Sequence, residues 1–125
     1  MRIVLTLLCL LLTSSAFADL PSGNQFTIQA ALASGKPTLV DFGARSCIPC
    51  KKMAPILEQL EKEYKGRANV IFVDVWQDNK IGGNYRVQMI PTQIFFDANG
   101  KESGRHIGFL DRQPIIDTFK KLGVK

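Results

Sequence analysis

The fold of this chain is decided by a two-cysteine motif that follows a short apolar segment: Thr38-Leu39-Val40-Asp41-Phe42-Gly43-Ala44-Arg45-Ser46-Cys47-Ile48-Pro49-Cys50. Residues 38–42 are too continuously apolar for a strand with one wet face, so they predict a buried strand. From Cys50 to about Tyr64, apolar residues recur at helical spacing, which predicts a helix that Pro55 should kink. The cysteine pair therefore stands at a junction between a strand and a helix.

The two cysteines are spaced to work as a redox centre. Two thiols with two residues between them can close a small disulfide ring and open it again. The free N–H groups and the dipole at a helix N-terminus stabilise a thiolate, which is the reactive form. We therefore expect Cys47, at the exposed start of the helix, to attack, and the more buried Cys50 to resolve. Pro49 stiffens the ring and lacks an N–H that the first helical turn would leave unused.

Two other interpretations of the motif are a structural disulfide and half of a metal site. A disulfide that closes so small a loop removes little chain entropy and stabilises the fold little. Zinc prefers four nitrogen or sulfur ligands, and His106 is the only histidine of the sequence. We therefore predict no metal site and no cofactor apart from the redox-active Cys47–Cys50 disulfide. A module that binds copper or zinc through the two cysteines stays as an alternative.

The N-terminus has the pattern of a secretory signal peptide. A short basic start precedes an apolar run over residues 3–12, and Ala16-Phe17-Ala18 fits a cleavage site. The run is too short to span a bilayer, which takes about 20 apolar residues. A buried N-terminal helix is the alternative, but the run has no polar face. We predict a cleaved signal peptide over residues 1–18, a mature domain over residues 19–125, and a periplasmic or secreted location.

Length and charge narrow the class of protein further. Residues 19–125 are enough for one domain and too few for two. Once Cys9 has left with the signal peptide, Cys47 and Cys50 are the only cysteines. The formal net charge is +5, but lysines and arginines are scattered among acidic residues with no basic run. This pattern argues against nucleic-acid binding, and we expect a monomer.

The rest of the chain alternates helices and strands. A first helix should begin at Ser22 or Asn24 and end at Gly35-Lys36-Pro37. The pattern further along predicts strands over residues 70–75, 93–96 and 102–107, a weak helix over residues 79–86, and a final helix capped by Asp111. The chain is therefore expected to be of the α/β class.

This order of elements, with the cysteine motif at the first strand-to-helix turn, resembles the thioredoxin superfamily. The matching residues are Asp41-Phe42, Cys47-Ile48-Pro49-Cys50-Lys51, Pro55, Ile90-Pro91-Thr92 and Gly108. The resemblance implies a thioredoxin-like fold, a single domain with a central mixed β-sheet flanked by helices, and the activity of a thiol–disulfide oxidoreductase. It also implies that Pro91 is cis and faces the dithiol, and that Asp41 lies buried behind Cys50.

Several positions differ from thioredoxin itself. Gly43 and Ser46 stand where two tryptophans would flank the motif, and Ile48 replaces a glycine. Phe72 stands about where a lysine would partner the buried carboxylate. Together with the signal peptide, these differences indicate an exported thioredoxin-like protein.

Asp41 is the candidate acid–base group. A carboxylate in an apolar strand is desolvated, which raises its pKa and favours the neutral form. With Phe72 in place of a lysine, no obvious cation would stabilise the charged form. In this interpretation Asp41 takes the proton from Cys50 as that thiol attacks the mixed disulfide. The alternative is a side chain that faces solvent or caps a backbone group.

The resemblance also implies where substrate binds. The backbone of Ile90 would pair with an extended substrate segment beside Pro91, and Ile48 and Pro49 would also bind the substrate. A shallow apolar surface suited to main-chain recognition would be formed around the cysteine pair by Gly43, Ala44, Ser46, Ile48 and Met89. The expected partners are disulfide-containing exported proteins and, because a reductant in an oxidising compartment must be recharged, a membrane electron donor. The dipeptide Ile48-Pro49 lacks the histidine that oxidase-like and isomerase-like relatives often carry, so we favour a reductant. A dithiol oxidase or isomerase on the same site is the alternative.

Overall fold

The computed structural model describes residues 19–125. In this part of the chain, a central strand has helices packed on both of its faces. The predicted signal peptide, residues 1–18, lies outside the described residues. None of the helices within residues 19–125 combines the length and the apolar character needed to cross a membrane.

The elements follow the order that the sequence predicts. They are α1 Gln25–Leu32, β1 Thr38–Gly43, α2 Ile48–Glu63, β2 Asn69–Asp74, α3 Asn79–Asn84, β3 Thr92–Phe96, β4 Glu102–Ile107 and α4 Arg112–Lys121. The main difference is that α2 begins at Ile48 instead of Cys50, because Cys47 is its N-cap residue. The helix continues through Pro55 to Glu63.

The four strands form one mixed sheet in the order β2-β1-β3-β4. β1 pairs with β2 in parallel and with β3 in antiparallel orientation, and β4 pairs antiparallel with β3. The parallel pair is joined by α2, whereas β3 and β4 are joined by a short turn. The predicted fold class, a central mixed sheet flanked by helices, is confirmed.

All six residues of β1 are buried, because this inner strand has a layer of helices on each face. Alternate side chains of a strand point to opposite faces of the sheet. Leu39 belongs to an apolar cluster that α2 and α4 complete, whereas Val40 and Phe42 belong to a second cluster that α1 and α3 complete. Asp41 and Gly43, which alternate with Val40 and Phe42, therefore face α2.

Short-range signals set the helix ends. The Asn24 side chain accepts a hydrogen bond from the N–H of Thr27, and the hydroxyl of Thr27 accepts one from the N–H of Asn24. This capping box satisfies two N–H groups at the start of α1, so the predicted start at Asn24 is confirmed over Ser22. Gly35 follows α1 with a φ of 77°, a conformation that favours glycine. Asp111 caps α4, as predicted.

β4 forms an exposed edge of the sheet. All six of its residues are exposed, and Arg105 forms an ion pair with Glu102 on the same strand. Charged side chains on an edge strand discourage pairing with another chain. His106 lies on this strand, two strands away from β1, with its Nε2 3.1 Å from the carbonyl oxygen of Phe109.

Candidate active site

The two cysteines form a disulfide at the start of α2, with their Cα atoms 5.1 Å apart. Cys47 has an extended backbone and acts as N-cap, and its carbonyl oxygen accepts from the N–H of Lys51 at 2.9 Å. Its Sγ accepts from the N–H of Cys50 at 3.4 Å. Pro49 lies in the first turn, where its missing N–H costs no helical hydrogen bond. The sulfur of Cys47 therefore lies at the positive end of the helix dipole, where a thiolate is stabilised.

The two sulfurs differ in their access to solvent. Cys47 is partly exposed, whereas only 4% of Cys50 is exposed. The backbone of β1 packs against the inner cysteine at Gly43, where an added Cβ would lie 3.2 Å from the Sγ of Cys50. A disulfide of another protein can therefore reach Cys47 more easily than Cys50. This arrangement agrees with the predicted order of attack.

Asp41 is fully buried on the α2 face of β1, two residues before Gly43. Its partner across the sheet is Gln93, which is opposite it in register and donates from Nε2 to Oδ1 of Asp41 at 2.9 Å. Oδ2 of Asp41 and Oε1 of Gln93 have no hydrogen-bond partner among the described residues. The prediction of a buried acid is confirmed, and the alternative of a side chain that faces solvent is wrong.

Burial raises the pKa of Asp41 from an ordinary value of 3.8 to about 7, because the charged carboxylate is removed from water. The hydrogen bond from Gln93 acts in the opposite direction, since it stabilises the charged form. On the other side of Asp41, the register places Phe72 of β2, whose ring supplies no charge. Asp41 can therefore gain or lose a proton near neutral pH.

The peptide bond between Ile90 and Pro91 is cis, as the family resemblance implies. The register places Thr92 opposite Phe42, so Pro91 lies at the same end of the sheet as the cysteine turn. Neither the N–H nor the C=O of Ile90 has a hydrogen bond to any described residue. Both groups are therefore available to a bound peptide.

Several large apolar side chains are exposed at this end of the sheet, and three of them belong to the cysteine motif, the segment after β2 and the segment before the cis-proline. The exposed fractions are 71% for Ile48, 59% for Trp76 and 63% for Met89. Ile48 lies within the cysteine motif, Trp76 follows the end of β2, and Met89 precedes Ile90. Exposed apolar surface that is grouped in this way is typical of a binding site. We call these three residues the apolar rim.

Arg45, the cation that precedes the cysteine motif, has other partners. Nη2 of Arg45 donates to the carbonyl oxygen of Leu20 at 2.7 Å, and the guanidinium lies over the ring of Phe72, 4.8 Å from its centroid. Nη1 of Arg45 is 4.0 Å from a carboxylate oxygen of Asp19. These residues and Cys50 line a cavity of about 40 Å³, a volume that could hold a water molecule.

The described residues offer the cysteines no further metal ligand. Within residues 19–125, no three His, Cys, Asp or Glu side chains come together in an arrangement that could hold a metal ion. The single histidine, His106, is on β4 and makes its contact with Phe109.

Gln93 is the site residue that the sequence reasoning did not identify. It is fully buried in β3, next to the apolar residues Ile94, Phe95 and Phe96. A buried polar side chain in such a strand needs a hydrogen-bond partner. The single polar residue in an otherwise apolar strand is therefore the feature of the sequence that could have indicated a role for Gln93. The sequence alone does not give the register that sets Gln93 opposite Asp41.

Comparison with known proteins gives one consistent family. The thioredoxin family model matches residues 22–121. Thioredoxin of Rickettsia felis is 34% identical over 90 residues, which cover 72% of this chain and 85% of that protein. A chloroplastic thioredoxin-like protein of Oryza sativa is 33% identical over 100 residues, which cover 77% of this chain and 37% of that protein. Among solved structures, a mutant thioredoxin from Halobacterium salinarum matches with a TM-score of 0.72 and 25% identity, covering 81% of this chain and 87% of that one.

Proposed function

This chain belongs to the thioredoxin family and is a thiol–disulfide oxidoreductase, and from that premise we propose that it acts as an exported reductase of protein disulfides. The observation that carries the proposal is the disulfide at the N-terminus of α2, with Cys47 partly exposed and Cys50 buried against β1. The redox-active pair holds the electrons, so the proposed reaction uses no separate cofactor.

The reaction starts from the reduced protein. The Cys47 thiolate attacks one sulfur of a substrate disulfide, which forms a mixed disulfide and releases the other substrate sulfur as a thiolate. The Cys50 thiolate then attacks Sγ of Cys47 in the mixed disulfide. This second step releases the remaining substrate sulfur and leaves the Cys47–Cys50 disulfide. Two electrons thus pass from the protein to its substrate.

Asp41 serves as the proton acceptor for the second step. Burial raises the pKa of a thiol, so the 4% exposed Cys50 needs a base before it can attack. Asp41 lies on the face of β1 that packs against Cys50, and its pKa of about 7 leaves a substantial ionised fraction at neutral pH. The ionised carboxylate accepts the proton of Cys50, and the proton then passes to a released substrate thiolate.

The substrate binds along the cis-proline turn and the apolar rim. The N–H and C=O of Ile90, which have no hydrogen bond within residues 19–125, pair with the backbone of an extended substrate segment. Ile48 and Pro49 in the motif, and Pro91 beside it, contact the side chains that flank the substrate cysteine. Recognition of this kind depends mainly on the main chain, so it suits several clients.

The proposed direction is reduction. A strong dithiol oxidant is one whose reduced form is stabilised, and a cation near the attacking thiolate is one way to achieve this. Here the two residues between the cysteines, Ile48 and Pro49, carry no charge. The guanidinium of Arg45 interacts with Leu20 and the Phe72 ring. We therefore expect a midpoint potential nearer to about −270 mV, as in thioredoxin, than to about −120 mV.

The proposed location is the periplasm or the outside of the cell, after removal of residues 1–18. The clients would be disulfide-containing exported proteins, and a membrane electron donor would reduce the monomeric protein again. N-terminal sequencing of the protein recovered from its native host should give Asp19 as the first residue. A chain that still begins at Met1 would contradict the export proposal.

Insulin reduction and a glutathione redox titration test the proposed function together. The reduced protein should catalyse reduction of insulin, and Cys47→Ser, as the matched control, should not. A failure of the natural protein to turn over would favour the module that binds copper or zinc. A midpoint potential above about −180 mV would favour the dithiol oxidase or isomerase over the reductase.

A further inference from the structure

We propose that Gln93 is a positioning residue for the exchange reaction: its side-chain amide fixes the Asp41 carboxyl group and favours the ionised form that accepts the proton of Cys50. This inference rests on the proton-acceptor role proposed for Asp41. Gln93 itself contacts neither sulfur in the mechanism proposed here and acts through Asp41.

The geometry of the pair supports this role. Asp41 and Gln93 are both 0% exposed and lie opposite each other on adjacent strands. Nε2 of Gln93 donates to Oδ1 of Asp41 at 2.9 Å, and a hydrogen bond to a charged acceptor is stronger than one between neutral groups. Oδ2 of Asp41 is left without a partner among the described residues. Oδ1 of Asp41 is thus held by Gln93, and Oδ2 is available to accept a proton.

A purely structural role explains Gln93 poorly. The three residues after it, Ile94, Phe95 and Phe96, are buried and apolar. Burial of Gln93 leaves its Oε1 without a partner among the described residues, which costs free energy. An apolar side chain of similar size would avoid this cost. The hydrogen bond to Asp41 is the interaction that gives the amide a function at this position.

Several charged or titratable groups on the elements packed around the pair already have partners. They include Cys50 and Glu58 of α2, Asp74 of β2, which is opposite Gly43 in register, His106 of β4, which is opposite Gln93, and Arg45 of the loop before α2. Asp74 accepts hydrogen bonds from the N–H groups of Arg45, Trp76 and Gln77. Cys50 is in the disulfide, Glu58 pairs with Lys62 at 3.2 Å, His106 contacts the Phe109 carbonyl, and Arg45 contacts Leu20 and Phe72. From α4, Ile115 and Phe119 add apolar surface. Among the described residues, Gln93 alone forms a hydrogen bond with the Asp41 side chain.

The titration of Asp41 gives a direct test that does not depend on turnover. The carboxyl carbon of Asp41 is followed by carbon-13 NMR against pH in the disulfide form, in which neither cysteine titrates. Gln93→Leu and Gln93→Met each remove the amide and keep a side chain of similar size. We expect the Asp41 midpoint to rise by about one to two pH units in both variants, as for the loss of a hydrogen bond to a charged group. The inflection of the rate of insulin reduction against pH should rise with it.

Two controls separate positioning from a general effect on packing. Phe95→Leu changes a buried apolar side chain on the same strand and the same face, and it should leave the Asp41 midpoint unchanged. In an Asp41→Asn background, Gln93→Leu should produce no further change in the pH profile. An unchanged Asp41 midpoint in both Gln93 variants, or an equal rise in Phe95→Leu, would overturn the inference. The result expected if Asp41 is not the proton acceptor is different. In that case the Asp41→Asn variant would reduce insulin at the same rate as the natural protein.

Discussion

Two neighbouring regions of this molecule have opposite relations to water. At the cysteine turn, Cys47 is partly exposed and Ile48 is 71% exposed. Directly behind it, Asp41 and Gln93 are fully buried. In the proposed mechanism, the sulfur that must meet another protein lies at the surface, and the acid that must keep a raised pKa lies in the core. Exposure of Cys47 lets it exchange electrons with other proteins, and burial of Asp41 sets the pKa at which it exchanges its proton.

The largest expected effect concerns the exposed region. Cys47→Ser and Cys50→Ser should both lose insulin reduction entirely, but for different reasons. Cys50→Ser keeps the attacking thiol and should accumulate mixed disulfides that it cannot release. Cys47→Ser leaves only a thiol that is 4% exposed, so it should form few adducts or none. Non-reducing gels of each variant, expressed in the native host, measure the adducts.

The pattern of adducts also tests the contrast between the two sulfurs. A membrane protein among the Cys50→Ser adducts would be the electron donor, and exported thiol proteins would be the clients. Adducts with Cys47→Ser and none with Cys50→Ser would reverse the assignment of attacking and resolving thiols.

The next effect in size concerns the buried region. Asp41→Asn removes the proposed proton acceptor but keeps the size and the polarity of the side chain. The rate of insulin reduction should fall by about 100-fold, which is typical for the loss of a general acid–base group. The rate of the first step, attack by Cys47 on a small disulfide, should change less, because Asp41 assists Cys50. Single-turnover measurements of the two steps check this difference.

The same substitution should make the fold more stable at neutral and alkaline pH. The unfolded chain releases the Asp41 proton near pH 3.8 and the folded protein near pH 7, so stability falls as the pH rises through this window. At about 1.4 kcal/mol per pH unit, ionisation of Asp41 costs the folded state roughly 4 kcal/mol above pH 7. Asparagine does not ionise, so urea titrations should show a gain in stability that is about 2–3 kcal/mol larger at pH 8 than at pH 5. A loss of about 1 kcal/mol at pH 8, the typical effect of a point mutation, would contradict the buried-acid interpretation.

The smallest expected effect concerns the boundary between the two regions. Gly43 lies between Asp41 and the cysteine turn, and an added Cβ would lie 3.2 Å from Sγ and 3.3 Å from Cβ of Cys50. Because the helix and the disulfide limit the movement of Cys50, Gly43→Ala should lower the free energy of unfolding by about 1 kcal/mol. Gly104→Ala is the matched strand control, since nothing lies within 4 Å of its added Cβ. Equal urea midpoints for the two variants would contradict this prediction, because they would mean that Cys50 can move enough to accommodate the added methyl group.

The exposed region could be predicted from the sequence because its signals are local. The cysteine spacing, the proline inside the motif and the apolar helix that follows lie within one stretch of chain. The same is true of Asn24, whose capping partner Thr27 is three residues away. Burial of Asp41 could also be predicted, because its neighbours in the strand are apolar on both sides.

The partner of Asp41 could not be predicted in the same way. Gln93 is 52 residues away along the chain, and the contact depends on the register between β1 and β3. A register shift of one residue would turn Gln93 to the opposite face of the sheet. The sequence shows that residue 93 is polar but does not show which residue lies opposite it. Export, which depends on residues 1–18, stays a prediction.

The segment before α1 has a practical consequence for labelling. Gly23 donates its N–H to the carbonyl oxygen of Phe72 at 2.7 Å, and Leu20 is held by Arg45. Asp19 therefore lies at the cavity that Cys50 also lines. We expect a fluorophore attached to Asp19 to sense the opening and closing of the disulfide. A bulky affinity tag at the same position would obstruct the cavity beside Cys50. A tag for purification belongs at the exposed Lys125, whose carbonyl oxygen is bound by Arg67 at a different part of the surface.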